Sequence, residues 1–382
     1  MMIYLDNSAT TKPYKEVLDS FLKVSEEFFG NPSSLHKIGG QAEKLLQQAR
    51  SQVAKLLNVK ETEILFTSGG TESNNLAIKG IALAHRERGR HIITSGIEHA
   101  SIHNAMVQLE SLGYEITYVK PDANGFISAN MIEKEMRDDT ILVSVIHVNN
   151  EVGTIQPVKE IGKLLKNYPK AFFHVDYVQG VGKVPLNFYE AGIHLATISG
   201  HKFHGLKGTG ALFIKEGVTL SPLFSGGNQE WKQRSGTENV AGMVAMAKAL
   251  RMTLEQRKEK LNQMAAAMER LRNGISQIKE LTIHTPKENQ APHILNFSIK
   301  GLKAETFVHA LEGKNIYVST TSACSSKKKA ASKTLLAMGV PQDEAESAIR
   351  VSLTFSNTVE EAEIAAKAIA DTVKHLSEVV KK

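Results

Sequence analysis

Strand-length apolar runs alternate with amphipathic stretches through the first two thirds of this sequence, and few folds accommodate that alternation. The runs Glu63 to Phe66, Arg90 to Thr94, Glu115 to Val119, Ile141 to Ile146, Ala171 to Val175 and Leu195 to Ile198 predict strands. Between most of them lie helical patterns at 72–85, 100–112 and 158–166. Strand, helix and strand in repeated order predict a mainly parallel sheet covered by helices. Sheets of this kind gather ligands at the carboxyl ends of their strands.

Beyond the breaks at Gly226-Gly227 and Ser235-Gly236 the pattern changes. Thr237-Glu238-Asn239 is placed to cap a long helix from Met243 to about Arg272, which reads as a connector between domains. After it come a strand at 293–298, a helix at 304–311, a polar segment around Cys324, a strand at 350–353 and a closing helix from Glu360. A chain of 382 residues exceeds what one hydrophobic core usually organises, so a smaller α+β domain after the large one is expected.

With 42% apolar and 23% charged residues, disorder and coiled-coil rods are excluded. No apolar run approaches the roughly 18 residues of a membrane span, and the start lacks a signal-peptide pattern, so the cytoplasm is the expected location, with no membrane partner. The net charge of +6 is spread thinly, which predicts a solubilising surface and no direct nucleic-acid binding. A single cysteine, Cys324, excludes an intrachain disulfide or a multi-cysteine metal site. The 14 histidines include no His-Glu-x-x-His pair, so no metal is expected.

Two neighbouring windows carry the chemistry. His174-Val175-Asp176 ends one strand, and Ser199-Gly200-His201-Lys202 follows the next. Alone, such an Asp is ordinarily a loop cap and such a Lys a solvated amine. Together at one sheet edge they suit pyridoxal phosphate, whose aldehyde takes a lysine in a Schiff base and whose ring nitrogen is held protonated by an acid. Phe66-Thr67-Ser68-Gly69-Gly70-Thr71-Glu72 supplies a strand, a glycine turn and a helix start for the phosphate, although the same pattern is often only a capped turn.

The order of motifs makes the chain resemble the pyridoxal-phosphate-dependent cysteine desulfurases of the NifS/IscS type. The matching segments are 4–11, 30–36, 66–72, Glu98-His99, 147–153, 174–176, 199–202, 234–237, 322–325 and 349–352. The resemblance implies a fold-type-I α/β architecture: a large domain at 13–257 with a seven-stranded, mainly parallel sheet, and a small domain from 1–12 and 258–382 carrying the catalytic cysteine loop. It implies that Lys202 is the Schiff-base lysine, that Asp176 partners the ring nitrogen, that His99 stacks on the ring and assists proton transfer, and that Gln179 contacts the phenolic oxygen. Gly70, Thr71, Ser199 and His201 would hold the phosphate, with Thr237 reaching the partner's site in a homodimer. Asn150 and Arg350 would grip the substrate carboxylate.

On the same resemblance Cys324 takes sulfur from L-cysteine as a persulfide, leaving L-alanine, and passes it to an acceptor protein. Thr320-Thr321-Ser322 before Ala323 and the run Lys327-Lys328-Lys329 depart from the pattern usual for iron–sulfur scaffold partners. They direct the expectation towards a tRNA-thiolating enzyme rather than iron–sulfur cluster assembly. A selenocysteine lyase or an aminotransferase of the same fold would use Lys202 and Asp176 equally, and Cys324 is what separates the readings. A non-catalytic binding protein would not need this set of residue types.

Overall fold

A computed structural model describes residues 1–320 and 331–380. Its main sheet has seven strands, in the order Ile64–Thr67, Gly210–Ile214, Leu195–Ser199, Phe172–Asp176, Thr140–Ile146, His91–Ser95 and Glu115–Val119. All run parallel except Gly210–Ile214, which pairs antiparallel with both neighbours. The expected strands are present with ends shifted by about one residue, a shift usual for boundaries set by hydrogen bonding. Gly210–Ile214 was not among them; it follows a turn at Gly208, whose φ is +76°.

Successive strand residues face opposite layers. Leu65, Ile92, Leu142, Leu195 and Leu212 pack under the helices Gly70–Ala84 and Ala100–Ser111. Their sequence neighbours Phe66, Ile93, Val143, Ala196 and Phe213 turn to the other face. There they meet Lys15–Glu27, Lys37–Leu57, Val158–Leu165 and the first half of Val240–Ile275. Burial on both faces explains why the strands read as unbroken apolar runs.

The connector helix extends beyond its expected ends to Val240–Ile275, and its start is set by the Asn239 side chain, which accepts the Gly242 N–H at 2.9 Å. Its second half, from Met264 to Ile275, packs into another core with Ile3, Leu5, Phe297, Phe307 and Ile349. That core covers a four-stranded antiparallel sheet ordered Ser319–Thr320, Ala348–Ser352, Ile294–Ile299 and Leu281–Ile283. Between the polar segment around Cys324 and Arg350 lie the short helices Lys333–Ala337 and Gln342–Glu346, with Leu335 and Met338 buried beneath. Cys324 and Lys327 to Lys329 lie outside the described residues. Among the described residues, no helix is long and apolar enough to cross a membrane.

Two buried histidines tie strands of the main sheet together. His91 joins Thr140 and Thr117 at 2.7 and 2.9 Å, and His174 joins Ser144 and Thr197 at 2.8 and 3.0 Å. Burial lowers the His91 pKa and pushes His174 down to about 3. The unfolded chain therefore binds their protons more readily, so the stability they lend is complete above about pH 6.5 and is lost as pH falls towards the folded pKa. Urea unfolding is expected to show stability dropping with acidification from about pH 6.5. His174→Gln, which keeps an amide between the two hydroxyls, should flatten that slope; an identical slope in the variant would remove His174 as its source.

Candidate active site

Three strands of the main sheet deliver their carboxyl ends to one pocket. Ile64–Thr67 leads through Ser68 into the helix Gly70–Ala84, Phe172–Asp176 ends on its acid, and Leu195–Ser199 passes into the 3₁₀ turn Gly200–Lys202. Gly69, at φ +147° and ψ −176°, occupies a region open essentially only to glycine, so the chain turns there into a helix whose first N–H groups lack intrahelical acceptors. A Cβ on Gly70 would stand 3.1 Å from Val178 Cγ2 and 3.4 Å from Ser199 Cβ.

The pocket has a volume of about 260 Å³ and is lined by Gly70, Thr71, His99, Asn150, Asp176, Gln179, Ser199, His201, Lys202 and Arg350, together with Ser8, Ala9, Asn74, Ser101, Ile146 and Val178. It shares Gly70, Thr71, Ser199 and His201 with an adjoining cleft that Lys207 also borders. Thr237 is exposed on the loop before Val240 and lines neither. Ten of the expected residues thus meet, while Thr237 stands apart and Cys324 lies outside the described residues.

Asp176 accepts hydrogen bonds from Asn74 Nδ2 at 2.9 Å and from the Val178 N–H at 3.0 Å. The same Asn74 amide donates to Ser101 Oγ at 2.9 Å, and Ser101 Oγ lies 2.8 Å from His99 Nδ1. Because His99 Nδ1 also accepts the Ser101 N–H at 3.2 Å, the neutral ring carries its proton on Nε2. Burial depresses the His99 pKa, Asp176 opposes the shift, and Lys202 and Arg350 add to it. Burial also pushes His201 down to about 4, helped by Lys202 and Lys207. Next to His99, burial drives Glu98 up to about 8, although Ser95 and the Ile146 N–H hold one of its oxygens.

Lys202 Nζ donates to the carbonyl of Ala9 at 2.9 Å and also to that of Ser8. Its own carbonyl accepts Lys183 Nζ at 3.1 Å, a fully buried amine whose pKa burial lowers to about 8 with help from Lys202. Arg350 donates to Asp6 Oδ1 at 2.9 Å and to the Asn150 carbonyl at 3.0 Å, and Gln179 donates to the Ser8 carbonyl at 3.0 Å. Asn74, Lys183 and the carbonyls of residues 8 and 9 were absent from the sequence expectation. The polar pair Ser73-Asn74 inside an otherwise apolar helix face was the signal available for Asn74.

The aminotransferase class-V family model matches residues 3–364. The chain belongs to that family. Within it, the chain is 47% identical to a NifS/IcsS protein homolog of Lactobacillus delbrueckii subsp. bulgaricus, covering 99% of each chain. It is 43% identical to a putative cysteine desulfurase IscS 1 of Bacillus subtilis, over 98% of this chain and 99% of that one. Among solved structures, a NifS-like protein superposes with a TM-score of 0.92 at 38% identity, covering 98% of this chain and all of the other. This member of the class-V aminotransferase family therefore lies in its NifS/IscS branch and is a pyridoxal-phosphate enzyme.

The residues present fit that cofactor. Ser8 Oγ and Asn74 Oδ1 are buried polar atoms without a partner in the pocket lining, an amine and an acid both line it, and the Gly69-Gly70 turn opens a helix N-terminus to an anion. Asn74→Ala removes one of the two donors to Asp176 and breaks the link to His99. It is expected to weaken cofactor binding by about tenfold and to shift the cofactor absorbance, since hydrogen bonds to charged groups contribute about 1.5–3 kcal/mol. Unchanged affinity and spectrum on reconstitution of the apoprotein would show that the amide only fills space.

Proposed function

We propose that the chain is a homodimeric cysteine desulfurase that converts L-cysteine to L-alanine and passes the sulfur, as a persulfide on Cys324, to an acceptor protein. The observation that carries the reading is the convergence of Lys202, Asp176, His99 and Arg350 on one pocket. Lys202 would hold the cofactor covalently, Asp176 would face the ring nitrogen, and His99 would lie against the ring. Gln179 would meet the phenolic oxygen, while Gly70, Thr71, Ser199 and His201 would hold the phosphate, with Thr237 supplied by the partner subunit.

Bound there, pyridoxal phosphate supplies an electron sink that makes the substrate Cα proton acidic. Arg350 and Asn150 fix the substrate carboxylate, so that the Cα–H bond is presented to Lys202 Nζ. A planar guanidinium grips a carboxylate at two points, which a lysine cannot do. Lys202 Nζ would take the Cα proton as a base and later return one. His99, neutral and protonated on Nε2, assists that transfer. The Cys324 thiolate attacks the substrate sulfur: the new S–S bond forms, the C–S bond breaks, and its electron pair stays with the carbon skeleton, which gains a proton and leaves as alanine. A persulfide carrier needs a compartment that keeps thiols reduced, and the cytoplasm meets that need.

For the acceptor, Lys327 to Lys329 and the Thr320-Thr321-Ser322 run support a tRNA-thiolating enzyme over an iron–sulfur scaffold. Sulfur delivery measured to both classes tests this choice, and equal or faster delivery to the scaffold would reverse it.

Single-turnover reaction with L-cysteine in the absence of reductant is expected to yield alanine and one added sulfur on Cys324 by mass spectrometry. Cys324→Ala should form neither at a comparable rate; a variant that retained full turnover of cysteine would move the assignment to an aminotransferase or selenocysteine lyase. Arg350→Lys is expected to raise KM for L-cysteine by about tenfold or more with a smaller change in kcat, because a two-point charged contact is lost. An unaltered KM would take Arg350 out of carboxylate binding.

A further inference from the structure

Glu230, Trp231 and Lys232 form a run of three consecutive non-glycine residues in the left-handed region, with φ of 45°, 54° and 66°. Such a run persists only where the surroundings over-determine it. Glu230 receives both ends of the Arg50 guanidinium, at 2.7 and 2.8 Å, and the two side chains are 3% and 4% exposed. The guanidinium lies between the rings of Phe66 and Trp231, 4.6 and 4.5 Å from their centroids. Arg50 also donates to the Ile64 carbonyl at 2.6 Å, and Glu230 accepts the Phe66 N–H at 2.9 Å. The ion pair therefore grips the strand that feeds the phosphate turn at Ser68 to Gly70.

A second tie lies just past that turn. Arg234 Nε meets Glu72 Oε1 at 2.8 Å in the first turn of the helix. Burial alone would raise the Glu72 pKa, but hydrogen bonds from Arg234 and Ser68 hold it below the ordinary value. Three residues after Arg234 comes Thr237, exposed and outside its own chain's pocket.

We infer that the buried Arg50–Glu230 pair is a positioning device: it bends residues 230–232 into a left-handed arc that presents Thr237 to the phosphate of the partner subunit. The inference rests on the reading above that Thr237 acts across the dimer. The strand entering one subunit's phosphate turn and the loop lent to the other are then one rigid piece, and loosening the pair in one chain loosens the cofactor in its neighbour. An unpaired charge left buried is strongly unfavourable, so a neutralising change should release the arc.

Mixed dimers in which one chain carries Lys202→Ala confine covalent cofactor to the other chain. Glu230→Gln is placed either on the Lys202→Ala chain or on the cofactor-bearing chain, and loss of cofactor absorbance is followed during dialysis. With Glu230→Gln on the Lys202→Ala chain, release is expected to be about tenfold faster than in the opposite arrangement. Trp231→Ala, which removes one ring from Arg50 but leaves the ion pair, should shift release in the same direction by less and covers the case in which Glu230→Gln fails to fold. Faster release when the change lies on the cofactor-bearing chain, or equal rates in both arrangements, would overturn the inference and leave the pair a local support. Thr237→Ala serves as the control. If it speeds release across the dimer while Glu230→Gln and Trp231→Ala do not, the positioning role fails and the Thr237 reading stands; if it does not, both fail.

Discussion

The site depends on hydrogen bonds that carry the N-terminal segment across the gap between the two cores. The Ser8 carbonyl accepts from both Lys202 and Gln179, and the Ser8 N–H donates to Ser352 Oγ at 2.7 Å. Asp6 pairs with Arg350, and Thr11 bonds the His201 carbonyl through its N–H at 3.0 Å and its hydroxyl at 2.9 Å. These few residues bond both the amine that follows the large sheet and the guanidinium on the small one. Ile3 and Leu5, buried in the second core, anchor the segment so that its polar part is held at a fixed height.

Within that frame, nearby groups of like chemistry sit in different surroundings. Asp176 receives two N–H donors on separate oxygens, whereas Glu98 has one oxygen satisfied and the other buried without a partner. Burial raises Glu98 to about 8, so it stays protonated at neutral pH and adds no second negative charge beside Asp176. Likewise burial lowers both His99 and His201 below the ordinary imidazole value, and the nearby Lys202 adds to the shift of each. The charge pattern follows from which groups are hydrogen-bonded and which are only buried.

The repeating layers were legible because period and length suffice to read a covered parallel sheet, and the Asp176 to Lys202 stretch was legible because its polar residues interrupt apolar runs. The strand Gly210–Ile214 was missed because it follows a glycine turn and departs from the strand–helix rhythm. Ser8 and Ala9 act on Lys202 through their carbonyls, which no side-chain pattern can reveal. Arg50 and Glu230 lie on segments far apart in sequence, and nothing local to either marks them as a buried pair. Lys183 reads as an ordinary charged residue after a glycine, and only the packing around it makes it a buried amine beneath the Lys202 carbonyl.

The stitching of residues 6–11 onto Ser352 and Arg350 also has a temporal side. Synthesis proceeds from the amino end, so the segment that clasps Lys202 leaves the ribosome more than 300 residues before the strand Ala348–Ser352 that completes its support. The main sheet can form early from largely sequential units, but the clasp must wait for the strand Ala348–Ser352 with its donors and acceptors turned to water. The nascent chain thus acquires its sheet before its clasp, and Lys202 is seated only once the strand bearing Arg350 and Ser352 is available to hold residues 6–11.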